Sequence, residues 1–207
     1  MIRRALLTLG IVAGASAPAA AQVLGLPVVN SGAPTGISVG ADIGFANDQY
    51  YGGGTGVGAH ASVGLGFFGV SGMISRFAPN GGGSAIWAPG ASATLRLIGG
   101  PLIPFRITMQ AGASQWSQGS VQVTHVPLSI GLAATIPNPA FAIKPWIAPR
   151  IDITNASGGG GTNANFGISG GVELSFLNGI LIRATYDRVP ANDGSPSIFS
   201  LGLGFSP

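Results

Sequence analysis

The chain has 207 residues, of which 7% are charged, and it contains 36 glycines and no cysteine. Soluble domains carry about 25% charged residues, so this composition excludes an ordinary water-covered surface. The absence of cysteine excludes a disulfide framework and thiolate metal sites.

The first element of the chain is a secretory signal peptide, predicted over residues 1–21. Arg3 and Arg4 supply its positive start, residues 5–17 its apolar run, and Ala19-Ala20-Ala21 a small-residue cleavage site. An apolar run of about 13 residues is too short to cross a bilayer as a helix. Without this leader the chain has seven Lys or Arg and six Asp or Glu, and the basic residues are scattered along the sequence. Nucleic acid is therefore not expected as a partner.

A two-residue alternation of apolar and polar side chains follows residues 22–34, which we interpret as a proline-punctuated lead-in. Ile103, Phe105 and Ile107, for example, flank Arg106 and Thr108. Successive side chains of a strand point to opposite faces, so this period predicts strands with one apolar and one polar face. About ten strands are predicted, with eight as the alternative count, at residues 37–45, 57–67, 69–78, 86–98, 103–115, 126–136, 143–153, 166–176, 180–186 and 199–205.

The connections between these strands alternate between short turns and longer loops. Turns are predicted around residues 67–68, 99–101, 137–139 and 177–179, and loops over 46–55, 79–85, 115–121, 155–165 and 189–197. Transmembrane barrels have short periplasmic turns and longer extracellular loops. The sequence therefore predicts an all-β protein: a closed antiparallel up-and-down transmembrane β-barrel in the bacterial outer membrane. Residues 22–207 form its single domain, with 22–34 as a periplasmic lead-in.

Three alternatives stay open at this point. A secreted lipocalin-like barrel would place the apolar lane inside around a ligand, but its exterior would then lack the charge that soluble surfaces carry. A surface-display or adhesion barrel would act through its loops. Binding loops usually carry aromatic or arginine side chains, and here the large ones are few: Tyr50, Tyr51 and Trp116. An outer-membrane lipid hydrolase would need a histidine near the lipid, whereas His60 and His125 both lie in the polar lane. We therefore expect no enzyme, no cofactor and no metal site.

The end of the chain carries the most specific resemblance. The segment from Phe199 to Phe205 resembles the C-terminal strand signal of small Gram-negative outer-membrane β-barrel proteins, in the opacity-protein-like grouping. Ser206 and Pro207 follow, where such signals usually finish on the aromatic residue. The resemblance implies two partners, the outer-membrane lipid and the barrel-assembly machinery. The residues that would form the assembly signal are Phe199, Leu201, Gly202, Leu203 and Phe205.

The polar lane contains nearly balanced charges, which indicate either a salt-bridge network in the wall or a constriction in a narrow pore. Arg96 and Arg106 lie on consecutive strands near one turn and would together favour an anion. Glycines in the same lane leave space for water, so we expect a structural barrel or a narrow passive channel for small solutes. The candidate lumen residues are Arg96, Arg106, Lys144, Arg150, Arg183, Asp42, Asp152, Glu173 and Asp187.

Two prolines, Pro145 and Pro149, share one predicted strand and the same parity. Proline has no N–H to donate, and residues of like parity in an antiparallel strand face the same neighbour. The prolines therefore indicate either a weakened seam on one side of that strand or bulges and interface positions, where solvent satisfies the freed carbonyls.

Overall fold

The computed structural model describes residues 23–100, 103–157, 161–190 and 194–207, and the predicted signal peptide lies outside these ranges. Over the described residues the chain forms eleven strands in one antiparallel sheet. They are β1 (Thr35–Ala46), β2 (Gly54–Leu65), β3 (Phe68–Pro79), β4 (Ile86–Gly100), β5 (Ile103–Gln118), β6 (Val121–Ala134), β7 (Ile136–Pro137), β8 (Phe141–Ala156), β9 (Gly161–Phe176), β10 (Ile180–Arg188) and β11 (Ser197–Phe205). In the described ranges, no helix is long and apolar enough to cross a membrane.

Ten long strands close the sheet into a barrel. Consecutive long strands pair with each other, β6 pairs with β8, and β1 pairs with β11. The two-residue β7 pairs with the start of β8. Each of the ten long strands of the described residues is paired on both sides, which satisfies backbone groups that lipid cannot hydrogen-bond. The prediction of a closed antiparallel barrel with ten strands is confirmed.

The two faces of the strands have the surroundings that the alternation predicted. Phe105 and Leu132 point outward and expose 51% and 44% of their surface, whereas Thr108 on the inner face exposes 1%. An apolar exterior around a polar interior is the arrangement of a membrane barrel. The lipocalin-like alternative is therefore wrong, because it required the apolar lane to face inward.

Several strands extend further at the long-loop end than the sequence indicated. The loop expected over residues 115–121 shrinks to residues 119–120, because β5 and β6 continue almost to their connecting turn. On the outward face of this extension, Gln115 Nε2 donates a hydrogen bond to Thr124 Oγ1 at 3.2 Å. Polar side chains replace the apolar lane here, so the extension belongs to the aqueous side of the membrane boundary.

Residues 23–34, which we call the plug, lie inside the barrel. Val23, Leu24 and Val28 are buried, and a β-bridge joins Val23 to Leu26 at the inner end of the plug. The prediction of a periplasmic lead-in is therefore wrong for this segment. The physical reason is that its apolar side chains gain a burial within the lumen that the aqueous periplasm cannot offer.

Glycines on the inner wall make room for the plug. A side chain at Gly44, Gly56, Gly64 or Gly131 would collide with the plug backbone. At Gly90, an added Cβ would lie 2.7 Å from Cγ1 of Val23. Space that the sequence interpretation assigned to water is therefore occupied, over this part of the lumen, by the chain itself.

Candidate functional site: the plugged lumen

The plug ends in an apolar cap at the long-loop end of the lumen. The rings of Tyr50 and Phe77 meet edge to face with centroids 5.7 Å apart, and the Gly25 N–H donates to Tyr50 Oη at 3.0 Å. Burial raises the pKa of the Tyr50 phenol well above its ordinary value, so the hydroxyl stays protonated. The cap closes this end of the lumen and consists of Val23, Leu24, Leu26, Tyr50, Phe77, Ala88, Trp116, Val123, Val189 and Ile198.

Polar side chains of the wall hold the rest of the plug. Ser75 Oγ donates to the Leu24 carbonyl at 2.7 Å. Asn30 Nδ2 donates to Ser129 Oγ at 2.9 Å, and Asn30 Oδ1 accepts a hydrogen bond from Thr108 Oγ1 at 2.7 Å. A buried polar group left unpaired costs about 1–3 kcal/mol. These bonds therefore fix the position of the plug along the lumen.

A buried charge cluster joins the plug to β6, β8 and β10. Arg150 Nε lies 2.8 Å from Asp152 Oδ2, and Arg150 Nη2 lies 2.7 Å from Asp187 Oδ1. His125 Nε2 lies 3.0 Å from Asp152 Oδ1, and the Val28 N–H donates to Asp187 Oδ2 at 2.9 Å. One guanidinium faces two carboxylates, so the donors on His125 and Val28 offset the excess negative charge.

Two further groups of ion pairs line the wall towards the short-turn end. Asp42 Oδ1 lies 2.7 Å from Arg183 Nη2, and Asp42 Oδ2 lies 3.0 Å from His60 Nδ1. Lys144 Nζ lies 3.1 Å from Glu173 Oε1. Seven of the nine candidate lumen charges therefore lie in ion pairs with one another.

Arg96 and Arg106 are the two candidates outside these pairs. Neither forms an ion pair with a carboxylate of the described residues. Arg96 lies opposite Thr108 across the β4–β5 ladder, beyond which the register shifts. Arg106 lies beside Gly99, one step nearer the turn, and its Nη2 donates to Thr135 Oγ1 at 2.9 Å. The excess positive charge of the lumen is thus concentrated near the short-turn end.

A cavity of approximately 700 Å³, which we call the vestibule, occupies the short-turn half of the lumen. Ser206 and Pro207 lie at its mouth, and Val23 and Leu26 of the plug at its inner end. Its wall carries the side chains of Asp42, His60, Arg106, Lys144, Glu173 and Arg183. The lumen is therefore closed at one end and accessible at the other.

The alternating pattern of the sequence predicted the charged residues of the polar lane but not the plug. Two signals were available, namely the apolar residues Val23, Leu24, Leu26 and Val28 and the many glycines of the inner lane. Neither signal shows which plug residue contacts which wall residue, because the contacts join positions as far apart in the sequence as Val28 and Asp187.

Comparison with known proteins supports the fold. The chain is similar to the crystal structure of the β domain of the Bordetella autotransporter BrkA, with a TM-score of 0.57 and 14% identity over 84% of this chain and 100% of that one. The chain has the fold of a bacterial outer-membrane β-barrel. More distant likenesses are the KdgM porin in complex with disordered oligogalacturonate (TM-score 0.45, 11% identity, 82% of this chain, 99% of that one) and the outer-membrane enzyme PagL (0.42, 14%, 82%, 99%). No protein-family model and no curated protein matches the sequence.

For an outer-membrane barrel, this fold defines the orientation of the lumen. Short turns face the periplasm and longer loops face outward, so the vestibule opens to the periplasm and the apolar cap lies at the extracellular end. The apolar lane contacts the membrane lipid. The last strand, β11, pairs with both β10 and β1, and its residues Phe199, Leu201, Leu203 and Phe205 all face the lipid.

Proposed function

We propose that this protein is a narrow passive channel for small solutes whose lumen is closed in the resting state by its own plug. The observation that carries the proposal is that the plug is not part of the wall. The barrel is closed by pairing between its strands, including β1 with β11 and β6 with β8. The plug is held instead by side-chain hydrogen bonds and apolar packing. Displacement of the plug would therefore leave the strand pairing of the barrel in place.

The polar lining supports passage of solutes rather than catalysis. The carboxylates of Asp42, Asp152 and Asp187 are engaged by guanidinium groups. His125 is fully buried and paired with Asp152, and His60 is paired with Asp42. The proposal therefore assigns no catalytic step to the lumen.

A reversible cross-link between plug and wall tests the channel. The chain has no cysteine, so Val23→Cys with Gly90→Cys introduces a single disulfide at the point where the two positions touch. We expect the oxidised double variant to show no openings in planar bilayers, and reductant to restore the openings of the wild type. Val23→Cys alone is the matched control and should not respond to reductant. Openings that are equal before and after reduction would contradict gating by the plug.

A deletion of residues 22–34 tests conduction itself. We expect this variant to conduct continuously, provided that its circular dichroism and its heat-dependent gel mobility show a folded barrel. A folded deletion variant that passes no current would make the protein a structural barrel and end the channel proposal.

The C-terminal strand supports a second, independent assignment. Phe199, Leu201, Gly202, Leu203 and Phe205 form our proposed signal for the barrel-assembly machinery, because β11 is the last strand and closes the barrel against β1. Replacement of Phe205 by Ala should reduce the amount of assembled protein in outer-membrane fractions. Refolding of the same variant in detergent should be less affected, whereas equal losses in both assays would indicate a purely structural role.

A further inference from the structure

We propose that the vestibule binds a small organic monocarboxylate, with Arg106 as the anchoring cation. The role of this acid as the solute of the channel rests on the proposed function. Its binding requires only the vestibule. The vestibule volume of approximately 700 Å³ lies within the range of small-molecule sites, about 300–1,000 Å³.

The charge balance of the vestibule points to an anion with one charge. Lys144 pairs with Glu173, and Arg183 pairs with Asp42. Arg106 is the remaining guanidinium of the vestibule wall and has no carboxylate partner among the described residues. A cation in a confined space is stabilised by a counter-charge, and here the wall does not supply one. An anionic solute would supply the missing charge.

The surroundings of Arg106 leave its guanidinium available. Its Nη2 donates to Thr135 Oγ1, a neutral acceptor, at 2.9 Å. Gly32 of the plug lies beside Nη1, and a Cβ added at Gly32 would be 3.3 Å from Nη1. A glycine at this position thus keeps the space in front of Nη1 open. A planar guanidinium with free donors matches the two oxygens of a carboxylate.

Two pairs of neutral polar groups in the vestibule satisfy each other. The hydroxyls of Ser38 and Ser62 lie 2.6 Å apart, and Gln110 Nε2 donates to Thr94 Oγ1 at 3.2 Å. Because Lys144 and Arg183 are already paired with carboxylates, we assign recognition of the charged group to Arg106. The inner end of the vestibule is more apolar, with Val23, Leu26 and Met73, so the body of the acid can be apolar as well as hydroxylated.

Equilibrium dialysis of the refolded mature protein tests the site with two radiolabelled probes, hexanoate and gluconate. We expect saturable binding of at least one probe, and tighter binding of one of them identifies the body of the acid. Arg106→Gln should weaken that binding by at least about tenfold. Arg76→Gln is the matched control, because Arg76 is exposed on the outer face of β3, and it should bind as the wild type does.

Substitution of the neighbour of Arg106 provides a second test that keeps the guanidinium in place. Thr135→Asp puts a carboxylate where Arg106 already donates, so it should abolish binding, whereas the neutral Thr135→Asn should retain it. Unchanged binding in Arg106→Gln or Thr135→Asp, equal competition by uncharged hexanol, or no saturable binding of either probe would overturn the proposal.

The same measurement separates this site from the channel. The wild-type protein is compared in equilibrium dialysis and in planar bilayers, because binding requires only that the vestibule be open to the periplasm. Binding by a protein that never conducts would refute the channel and leave the site intact. Conduction without saturable binding would refute the site alone.

Discussion

The backbone N–H of Val28 donates a 2.9 Å hydrogen bond to Asp187 Oδ2, although 159 positions separate the two residues. Both groups are buried, and Asp187 is also the ion-pair partner of Arg150. The bond connects the plug to a buried ion pair of the wall. Stability of the barrel and closure of its lumen are therefore coupled at this carboxylate.

Replacement of Asp187 by Asn should both destabilise the barrel and loosen the plug. The change removes one carboxylate from a buried ion pair, which costs about 3 kcal/mol, and weakens the acceptor for the Val28 N–H. Urea unfolding in lipid vesicles measures the loss. Asp48→Asn, in an exposed loop, is the control and should stay within about 0.5 kcal/mol of the wild type. Equal stability of the two variants would show that the cluster contributes little.

A larger side chain at Gly131 should expel the plug without touching the outer face. An added Cβ there collides with Asn30, so Gly131→Val cannot keep the Asn30 hydrogen bonds to Thr108 and Ser129. We expect limited proteolysis, followed by mass spectrometry, to cut the plug faster in this variant. Gly72→Val, where nothing lies within 4 Å, should behave as the wild type. Equal cleavage of the two variants would refute the role of Gly131 in seating the plug.

The loss of stability caused by an arginine on the outer face should depend on how deep in the membrane the arginine lies. Leu128 lies in the apolar lane of β6, whereas Gln122 lies on the same face near the extracellular end of that strand. Leu128→Arg should cost about 2–4 kcal/mol and Gln122→Arg about 0–1 kcal/mol, since a charge is costly near the midplane and cheap near the interface. Reversible unfolding in vesicles compares them, and similar costs at both positions would place the membrane boundary elsewhere.

The two prolines of β8 should weaken its seam with β6 and not its seam with β9. Pairing with β9 continues through Pro145 and Pro149, whereas pairing with β6 skips Pro149 and stops at Trp146. We expect amides of this seam to exchange faster than those of β1–β2, which pair without interruption. Pro149→Ala should slow the exchange by restoring a donor. Exchange as slow as that of β1–β2 in the wild type would refute the weak seam.

The sequence predicted the wall well because each strand has two unlike environments. Lipid on one side and the lumen on the other force a period of two, which is visible in β5 from Ile103 to Ser114. The third strand was found for the same reason, since β3 carries an exposed apolar lane that includes Val70 and Ile74. Strand ends were less predictable, because the polar residues beyond Gln115 continue the ladder without continuing the apolar pattern.

The interior was less predictable for a different physical reason. The partner of a lumen charge depends on register and on contacts across the barrel, as in the pair Arg150–Asp187, and not on spacing within one strand. The plug shows no period of two, because it is not a strand of the sheet. Its glycine partners, such as Gly44 and Gly131, have no side chain whose chemistry could indicate what they contact.

Nuclear Overhauser contacts of the refolded mature protein test most directly that the plug fills the lumen. The structure predicts contacts between the Leu26 and Ile198 methyl groups and between the Val28 amide and the β-protons of Asp187. It also predicts slow exchange for the Val28 amide. Random-coil chemical shifts for residues 23–34, without any contact to the wall, would contradict a plug inside the lumen.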